Sequence, residues 1–456
     1  QPRFKEAGKY AVYVSYQSLP KSVSDARYIV YHKGEATEFS VNQRMGGGTW
    51  VYLGTFDFDK GCNEFNRVVC TNKASRRGVV TADAVRFGGG MGNIERGGYT
   101  SGLPRCLEGA RYYAQWAGAP YKVYGGRKGE NDYADDINTR SLMTNWLGGG
   151  SVYMPARKGK HVPIELSLAL HSDAGYNKDG KTTFGALAIC TTDYNDGILN
   201  SGISRFTSKD FARALRDNLV TDLTAQFGEF GKRYLWDRNY SETRLPEVPS
   251  AILEMLSHQN FPDMRIAQDP LGKFYIARSI YKTILRFVNS NHGTRYVVQP
   301  LAPQNFSVTQ NQGVALLSWT AQLDKTEPSA RPTSYIIYKA EGQGGFDNGT
   351  IVNTTRCQMQ LKPGKLYHFK VAAVNAGGES FTTETLSVLY NPAASKSVLI
   401  VNNFHRLASP QVVDDEEKQG FDLNQDPGVS YGLTAGWSGK QQVFDRSRMG
   451  NETSFG

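Results

Sequence analysis

The hydrophobic rhythm of the chain changes twice. Over residues 9–87 apolar and polar positions alternate in short runs at 10–16, 26–32, 36–41, 49–54, 67–70 and 79–87. The runs are rich in β-branched and aromatic residues, and Gly, Asp and Asn separate them. A period of two between turn formers predicts an antiparallel sandwich. Further on the period lengthens. Residues 104–116 have helical spacing, with Pro104 near the first turn and Gly118 as a stop. Residues 121–124 read as a short strand, and Asp132 leads into a second helix that ends before Gly148. The stretch 162–170 becomes continuously apolar and breaks off in His171-Ser-Asp173-Ala-Gly175, which predicts a buried strand carrying His171 to its C-terminal tip. A strand is expected at 184–191. An amphipathic helix follows over 208–227, with Ser208 as N-cap and Phe211, Leu215, Leu219, Leu223 and Phe227 on one stripe. A second apolar run delivers Glu254, ahead of Ser257-His258-Gln-Asn260. Asp269 and Pro270 open a closing helix to about residue 288. Strands alternating with helices predict an α/β sheet unit.

Beyond Pro300 and Pro303 the strand rhythm returns at 306–308, 314–319, 334–338, 366–374 and 381–388. Residues 397–401 read as the first strand of another unit. The polar remainder, with acidic 414–417, is too short to complete a doubly wound sheet. The expected fold class is therefore multidomain α/β plus all-β. Its parts are a β-sandwich over 1–95, an α/β domain over 96–297, a second sandwich over 298–393 and an incomplete domain over 394–456.

A length of 456 residues agrees with about three domains. The 52 Lys+Arg against 43 Asp+Glu give a net charge of +9, spread along the chain. That is either a solvated basic surface or attraction to an anionic polymer such as cell wall or acidic polysaccharide. No basic stripe interleaved with aromatics is present, so nucleic acid is excluded as a partner. No apolar run reaches the roughly 18 residues of a spanning helix. Five cysteines form no C-x-x-C pair, which argues against a thiolate metal cluster. Cys62 and Cys70 flank one predicted strand; they either bridge in an oxidising compartment or stay free. The glycine-rich stretch at 88–93 lacks the G-K-[ST] ending of a phosphate loop. No signal peptide is present, and Gln1 reads as the start of a processed chain or a fragment.

The candidate chemistry lies at the strand tips, where ligands sit in open α/β sheets. Imidazole nitrogen and carboxylate oxygen suit Zn2+, whose catalytic sites use three protein ligands and one open position. His171 has the right donor, although a lone strand-end histidine is as readily structural. Glu254 stands inside an apolar run, an expensive place for a carboxylate unless it is paired or functional. It suits a metal ligand or a general base. Glu165 and His161 lie about 20 and 33 Å from His171 along an extended strand, too far to share its metal. His258 is placed near the site or facing a substrate. By this count the metal site is incomplete.

Three resemblances add to this reading. Tyr10-Ala-Val-Tyr-Val-Ser-Tyr16, Val41-Asn-Gln43, Gly46-Gly-Gly-Thr-Trp50, Leu53-Gly-Thr-Phe56 and Thr81-Ala-Asp-Ala-Val-Arg86 resemble the golvesin C-terminal-like domain. That sandwich module also occurs beside xanthan lyase-type proteins, and implies carbohydrate or wall contact rather than catalysis. Residues 96–290 resemble the zinc-dependent N-acetylmuramoyl-L-alanine amidases. The matching motifs are Leu168-Ala-Leu-His171-Ser-Asp173-Ala174, then Pro249-Ser-Ala-Ile-Leu-Glu254 with Asn260 and Asp263, and Arg140 with Asn145. The resemblance implies that His171 is a zinc ligand and Glu254 the catalytic glutamate. Asp173, Asn260, His258 and Arg140 become substrate-binding candidates. The implied reaction hydrolyses the amide between muramic acid and L-alanine, with zinc polarising the carbonyl and Glu254 moving the proton. An earlier His and Glu used by that family have no counterpart here. The resemblance thus implies ligands before Gln1 and a sandwich inserted into the amidase domain, a layout similar to Bacteroidetes-type multidomain proteins labelled xanthan lyase. Arg244 either binds a peptide carboxylate of the substrate or forms a surface salt bridge with a neighbour such as Glu242. Trp319 and Tyr367-His-Phe-Lys-Val-Ala-Ala-Val-Asn375 resemble a fibronectin type III domain, with Tyr367 at the tyrosine corner and spacing as its simplest task.

The expectation is a secreted or periplasmic zinc amidase acting on peptidoglycan or another cell-surface glycan. Its rivals are an inactive wall- or glycan-binding scaffold and a polysaccharide lyase. The lyase ranks lower because the sandwich has no Tyr/His/Arg constellation for β-elimination.

Overall fold

The alternation of the first 87 residues builds two facing antiparallel sheets of three strands. In chain order the strands are β1 (Gly8–Ser15), β2 (Ala26–His32), β3 (Glu35–Val41), β4 (Val51–Phe58), β5 (Arg67–Thr71) and β6 (Ala84–Phe87). One sheet runs β4-β1-β6 and the other β3-β2-β5. Val12, Val14, Tyr28, Val30 and Phe58 are buried between them. A bulge after Val12 turns the strand, and Tyr13 packs on Trp116 of the next unit at 4.2 Å. The computed structural model describes residues 1–88, 109–128, 130–402, 407–422 and 424–428, together with the strands at 95–96, 99–100 and 444–445. Cys62, Cys70, Cys190 and Cys357 are free thiols, so the Cys62–Cys70 bridge does not form. Cys62 is exposed in a loop, whereas Cys70 packs into the sandwich core. Cys106 and Pro104 lie outside the described residues.

After a two-residue pair, β7 (Glu95–Arg96) and β8 (Tyr99–Thr100), come α1 (Ala110–Trp116), α2 (Tyr121–Tyr124) and α3 (Asp132–Gly148). The strand expected at 121–124 is instead the helical turn α2. Its Val123 N–H donates to Pro120 O at 2.8 Å and Gly125 N–H to Tyr121 O at 2.7 Å. Four alternating residues fit either period. Pro120 presets the turn, and Val123 is the one residue of the four that must be buried, near Leu142 and Trp146.

The α/β unit continues with β9 (Ser167–Asp173), β10 (Ala186–Cys190), α4 (Phe206–Phe227), β11 (Lys232–Asp237), α5 (Ser241–Arg244), β12 (Ser250–Ser257), α6 (Phe261–Gln268) and α7 (Pro270–His292). The sheet order is β11-β10-β12-β9. β12 is parallel to β9 and antiparallel to β10. The stripe Phe211, Leu215, Leu219 and Leu223 of α4 is fully buried against Ala186, Ala188, Ala251 and Leu253. Each such side chain stabilises the fold by about 1.5–3 kcal/mol. Three expectations change. β9 is a half-exposed edge strand rather than a buried one, and Leu170 is 53% exposed. Ser208 lies inside α4 rather than capping it, and its hydroxyl accepts from Ser250 N–H at 3.1 Å. α7 runs past residue 288 to His292, where left-handed Gly293 (φ 63°) ends it. Asp269 caps its start as expected, accepting from Leu271 N–H at 2.8 Å. The rhythm did not reveal β11.

The second sandwich comprises β13 (Gln304–Asn311), β14 (Val314–Thr320), β15 (Ser334–Glu341), β16 (Thr350–Val352), β17 (Arg356–Gln360), β18 (Leu366–Asn375), β19 (Gly378–Thr382) and β20 (Leu386–Leu389). Trp319 stacks edge-on to Tyr335 at 5.4 Å, and the Tyr367 hydroxyl accepts from Lys362 N–H at 3.3 Å, the tyrosine corner. Buried ions join α7 to the second sandwich. Arg278 meets Asp324 at 2.8 Å, and Lys282 donates to Asp222 at 2.8 Å and to Thr326 at 2.7 Å. Residues 397–401 do not form the expected strand; Val398, Leu399 and Ile400 are exposed. The hairpin β21 (Gln411–Asp414) and β22 (Lys418–Asp422) instead adds Phe421 to the α/β core, 5.6 Å from Phe261.

Candidate functional site

Register assembles the site. Glu254 on β12 is paired directly with His171 on the parallel neighbour β9 and with Leu187 on the antiparallel neighbour β10. Because side chains alternate, these residues share one face of the sheet with Ala169, Ile252, Ile189 and Trp236, a small apolar cluster. The opposite face belongs to α4. The sheet thus has one face packed on α4 and one that carries a small apolar cluster beside the His171–Glu254 pair.

Charge on the chemical face is dense and uneven. His171 Nε2 donates to Glu242 Oε2 at 2.9 Å. The other oxygen of Glu242 accepts from Arg140 Nη1 at 3.1 Å. Hydrogen bonding and charge from Glu242 raise the pKa of His171 against the opposing effect of burial. Burial alone would raise Glu242, but the hydrogen bonds from His171 and Arg140 outweigh it and hold Glu242 below the ordinary carboxylate range. Glu254 differs. Burial is the main cause that raises its pKa, Asp173 and Glu242 add to the rise, and His171 and Arg233 oppose it. Its Oε2 is buried without a hydrogen-bond partner. A half-buried carboxylate that keeps an orphaned oxygen is poised to take a proton.

The other expected residues divide into two groups. Arg140 and Asp173 join the cluster; Asp173 Oδ2 accepts from Arg233 Nη2 at 2.6 Å. His258 sits at the same sheet end, its Nδ1 3.1 Å from Ser172 Oγ. Asn260 does not face a ligand. It is fully buried, its carbonyl accepts from Asn177 N–H at 3.0 Å and its amide donates to Thr182 O at 3.0 Å, so it closes a turn instead. Asp263 is likewise structural: fully buried, it accepts the backbone N–H groups of Phe184, Gly185 and Ser257, and burial pushes its pKa up to about 6 against those donors. Arg244 pairs with Asn239 at 2.6 Å and lies 5.8 Å from the Tyr194 ring centroid, in place of the salt bridge with Glu242. Asn145 ties α3 to the segment before β12 through Leu245 O and Glu247 N–H. Glu165 pairs with His292, and His161 with Gly150 O.

Sequence reasoning missed Glu242 as the partner of His171, and missed Arg233 altogether. Arg233 lies at a register shift between β10 and β11, where an extra residue on β11 lets it reach Asp173 while covering the Phe184 ring at 4.1 Å. No local signal marks either residue, since both sit in polar stretches.

The donor set partly suits zinc. His171 offers a nitrogen, and Glu254 and Glu242 offer oxygens, the donor types that zinc accepts. Yet among the described residues no group of three His, Cys, Asp or Glu side chains is placed to hold a metal ion. His171 fits as one ligand and Glu254 as a base; a complete three-donor site is not assembled by these residues.

Comparison with known proteins bears on the flanking units. Residues 1–89 match the Golvesin C-terminal domain, and residues 301–388 the fibronectin type III domain. The chain is 35% identical over 88 residues to a xanthan lyase of Bacillus sp. (strain GL1), a stretch that is 19% of this chain. The match covers only 9% of that relative's length. Similar solved structures include the twitchin kinase region of C. elegans, 26% identical over 22% of this chain and 18% of that one, with a TM-score of 0.19. The third fibronectin III domain of human KIAA0343 protein is 19% identical over 23% of this chain and 92% of that one, also with a TM-score of 0.19. The chain is therefore multidomain, with a Golvesin C-terminal domain and a fibronectin type III domain flanking an α/β unit. Among the described residues, no helix is long and apolar enough to cross a membrane.

Proposed function

We propose that the chain is a secreted peptidoglycan hydrolase that cleaves the amide between N-acetylmuramic acid and L-alanine. The observation that carries this reading is the His171–Glu254 pair, side by side on β9 and β12, with one Glu254 oxygen buried and unpartnered. Glu254 takes a proton from water and returns it to the departing amine of L-alanine. Glu242 holds the Nε2–H of His171, which fixes the tautomer and leaves the Nδ1 lone pair to ligate a metal. Arg140 neutralises Glu242 and Arg233 neutralises Asp173, so the face carries balanced charge around a raised Glu254. Bound zinc would polarise the scissile carbonyl and lower the pKa of water, with His171 as one ligand. The remaining donors would come from outside the described residues. The flanking domains, of kinds typical of extracellular proteins, support a wall or other cell-surface glycan as partner.

The test is product identity. Purified sacculi are digested with the full chain plus zinc, and soluble products are read by mass spectrometry. Peptides with a free L-alanine amino terminus, beside intact glycan, are expected. Unsaturated uronic products from a polysaccharide would assign a lyase and overturn the proposal. A second reading, a wall- or glycan-binding scaffold, is favoured by the absence of a three-donor group among the described residues. It predicts sedimentation with sacculi and no cleavage.

A further inference from the structure

The loop that leaves the His171 strand is held by a residue far along the chain. It runs from Ala174 to Gly185, between β9 and β10. Asp179 shapes its tip, where one carboxylate oxygen accepts from Lys181 N–H at 2.9 Å and from Thr182 N–H at 3.1 Å. Gly180 is buried there with a left-handed φ of 60°. Its carbonyl accepts from the side-chain amide of Gln419 at 2.7 Å, across 239 residues of sequence. Gln419 is 1% exposed, and the same amide nitrogen reaches Asp414 Oδ1 at 3.0 Å.

Register explains how one hairpin makes this contact. Gln419 and Phe421 are two apart on β22, so they share a face. Asp414 and Val412 stand opposite them on β21. That face meets the α/β unit, because Phe421 and Val412 both join its core. The Arg265–Asp414 pair at 3.8 Å is exposed and adds little. A cavity of about 550 Å³, lined by Thr182, Phe227, Ile266 and Val412 among others, remains under the hairpin. A hairpin alone is marginal in water. β21 and β22 are therefore held by a few grips, chiefly the Phe421 ring and the Gln419 amide, rather than by continuous packing.

The base of the loop carries the contact on to the candidate site. Asn177 Nδ2 closes the loop onto Thr183 O at 3.0 Å. Gly175 N–H donates to Gln259 Oε1 at 2.9 Å, and Asn177 N–H to Asn260 Oδ1 at 3.0 Å. The turn that holds those side chains is bound in turn to the strand tip. His258 N–H donates to Asp173 O at 3.0 Å, and His258 Nδ1 lies 3.1 Å from Ser172 Oγ. The path from Gln419 to Asp173 and His258 is contiguous.

We propose that β21 and β22 form a strap that pins the loop at 174–185, and that release of the strap loosens the sheet end carrying Asp173 and His258. A docked hairpin favours the ordered loop and a displaced hairpin the loose one. The effect on turnover rests on the hydrolase reading; the strap does not.

Amide hydrogen exchange in the full chain, read peptide by peptide, tests the strap. Gln419→Ala removes the bond to Gly180, and exchange over residues 176–183 should rise about 5- to 10-fold. Phe421→Ala, which withdraws the anchoring ring, should raise it further and speed exchange over 411–422 as well. Gln425→Ala, which removes an exposed glutamine just beyond the hairpin, should change nothing. The proposal is overturned if neither Gln419→Ala nor Phe421→Ala changes exchange in the loop. It is equally overturned if Gln419→Ala speeds exchange to the same extent across α3 and α4, the mark of a general loss of stability. Where the wild-type chain cleaves wall peptide, turnover by Gln419→Ala should fall about 3- to 10-fold. Unchanged turnover beside a loosened loop would overturn the link to the site and keep the hydrolase. No cleavage by the wild-type chain, with the loop loosened in Gln419→Ala, would sink the hydrolase and keep the strap.

Discussion

Charge is taken out of water on both sides of the α/β unit, and the two sides differ in how it is paired. Asp222 and Glu254 each keep one buried oxygen without a hydrogen-bond partner, but Asp222 has Lys282 at 2.8 Å on its other oxygen. Behind α4, where α7 meets the second sandwich, Lys282 is 2% exposed and is surrounded by Asp222, Thr326 and Asp324. Arg278 likewise has Asp324 at 2.8 Å and Gln299 O at 3.1 Å. On the front face Glu254 keeps a buried oxygen with no partner. A cation that holds domains together is met by acceptors from several elements. A carboxylate left half-satisfied beside a histidine destabilises the fold slightly, so its persistence needs a reason other than stability.

The largest contrast is expected in stability. Lys282→Met leaves Asp222 buried without its cation, while Asp324 keeps Arg278, and should cost about 3–5 kcal/mol in chemical denaturation. In the same assay Glu254→Gln should change stability by no more than about 0.5 kcal/mol, or raise it. Equal losses in both variants would erase the distinction between the two faces.

Asp263→Ala comes next. It strands three backbone N–H groups where β12, β10 and α6 meet, and should lower stability by about 2–4 kcal/mol. A loss of turnover without a loss of stability would instead move Asp263 into the chemistry.

Smaller still is a titration. Glu242 raises the pKa of His171 above its ordinary value of 6.5. A group raised in the folded state contributes stability that is fully present below its unfolded pKa and fades as pH climbs through the folded one. Stability from this pair should therefore decline from about pH 6.5 upward. Glu242→Gln should flatten that decline and lower the His171 pKa in an NMR titration. An unchanged titration would show that the hydrogen bond carries no weight. The smallest effect belongs to Arg244→Ala. Among the described residues its side chain meets Asn239 and the Tyr194 ring, and a stability change within about 0.5 kcal/mol is expected. If peptide turnover falls sharply, Arg244 reaches the substrate after all.

The two faces also differ in how far a linear chain discloses them. His171 and Glu254 were legible because each interrupts an apolar run, and a charge in such a run stands out locally. The α4 stripe and the strands of both sandwiches were legible for the same reason, since periodicity reports which side is buried. Glu242, Arg233 and Lys282 were not, because their meaning lies in partners far along the chain, such as His171, 71 residues before Glu242, and Asp173, 60 residues before Arg233. β11 escaped because Lys232-Arg-Tyr-Leu-Trp-Asp237 is an edge strand, with polar residues at both ends and an exposed tyrosine inside. The turn role of Asn260 was not legible, because a conspicuous polar residue after a strand tip serves a turn as easily as a ligand.

The most direct test of the chemical face is turnover by Glu254→Gln, which keeps size and removes only the proton acceptor. With zinc-supplemented full chain on a soluble muramyl peptide, kcat should fall by about 10²–10⁴-fold with KM nearly unchanged. Wild-type kcat in a Glu254→Gln chain that releases the same free L-alanine terminus would contradict the assignment of Glu254 as the proton-transfer group.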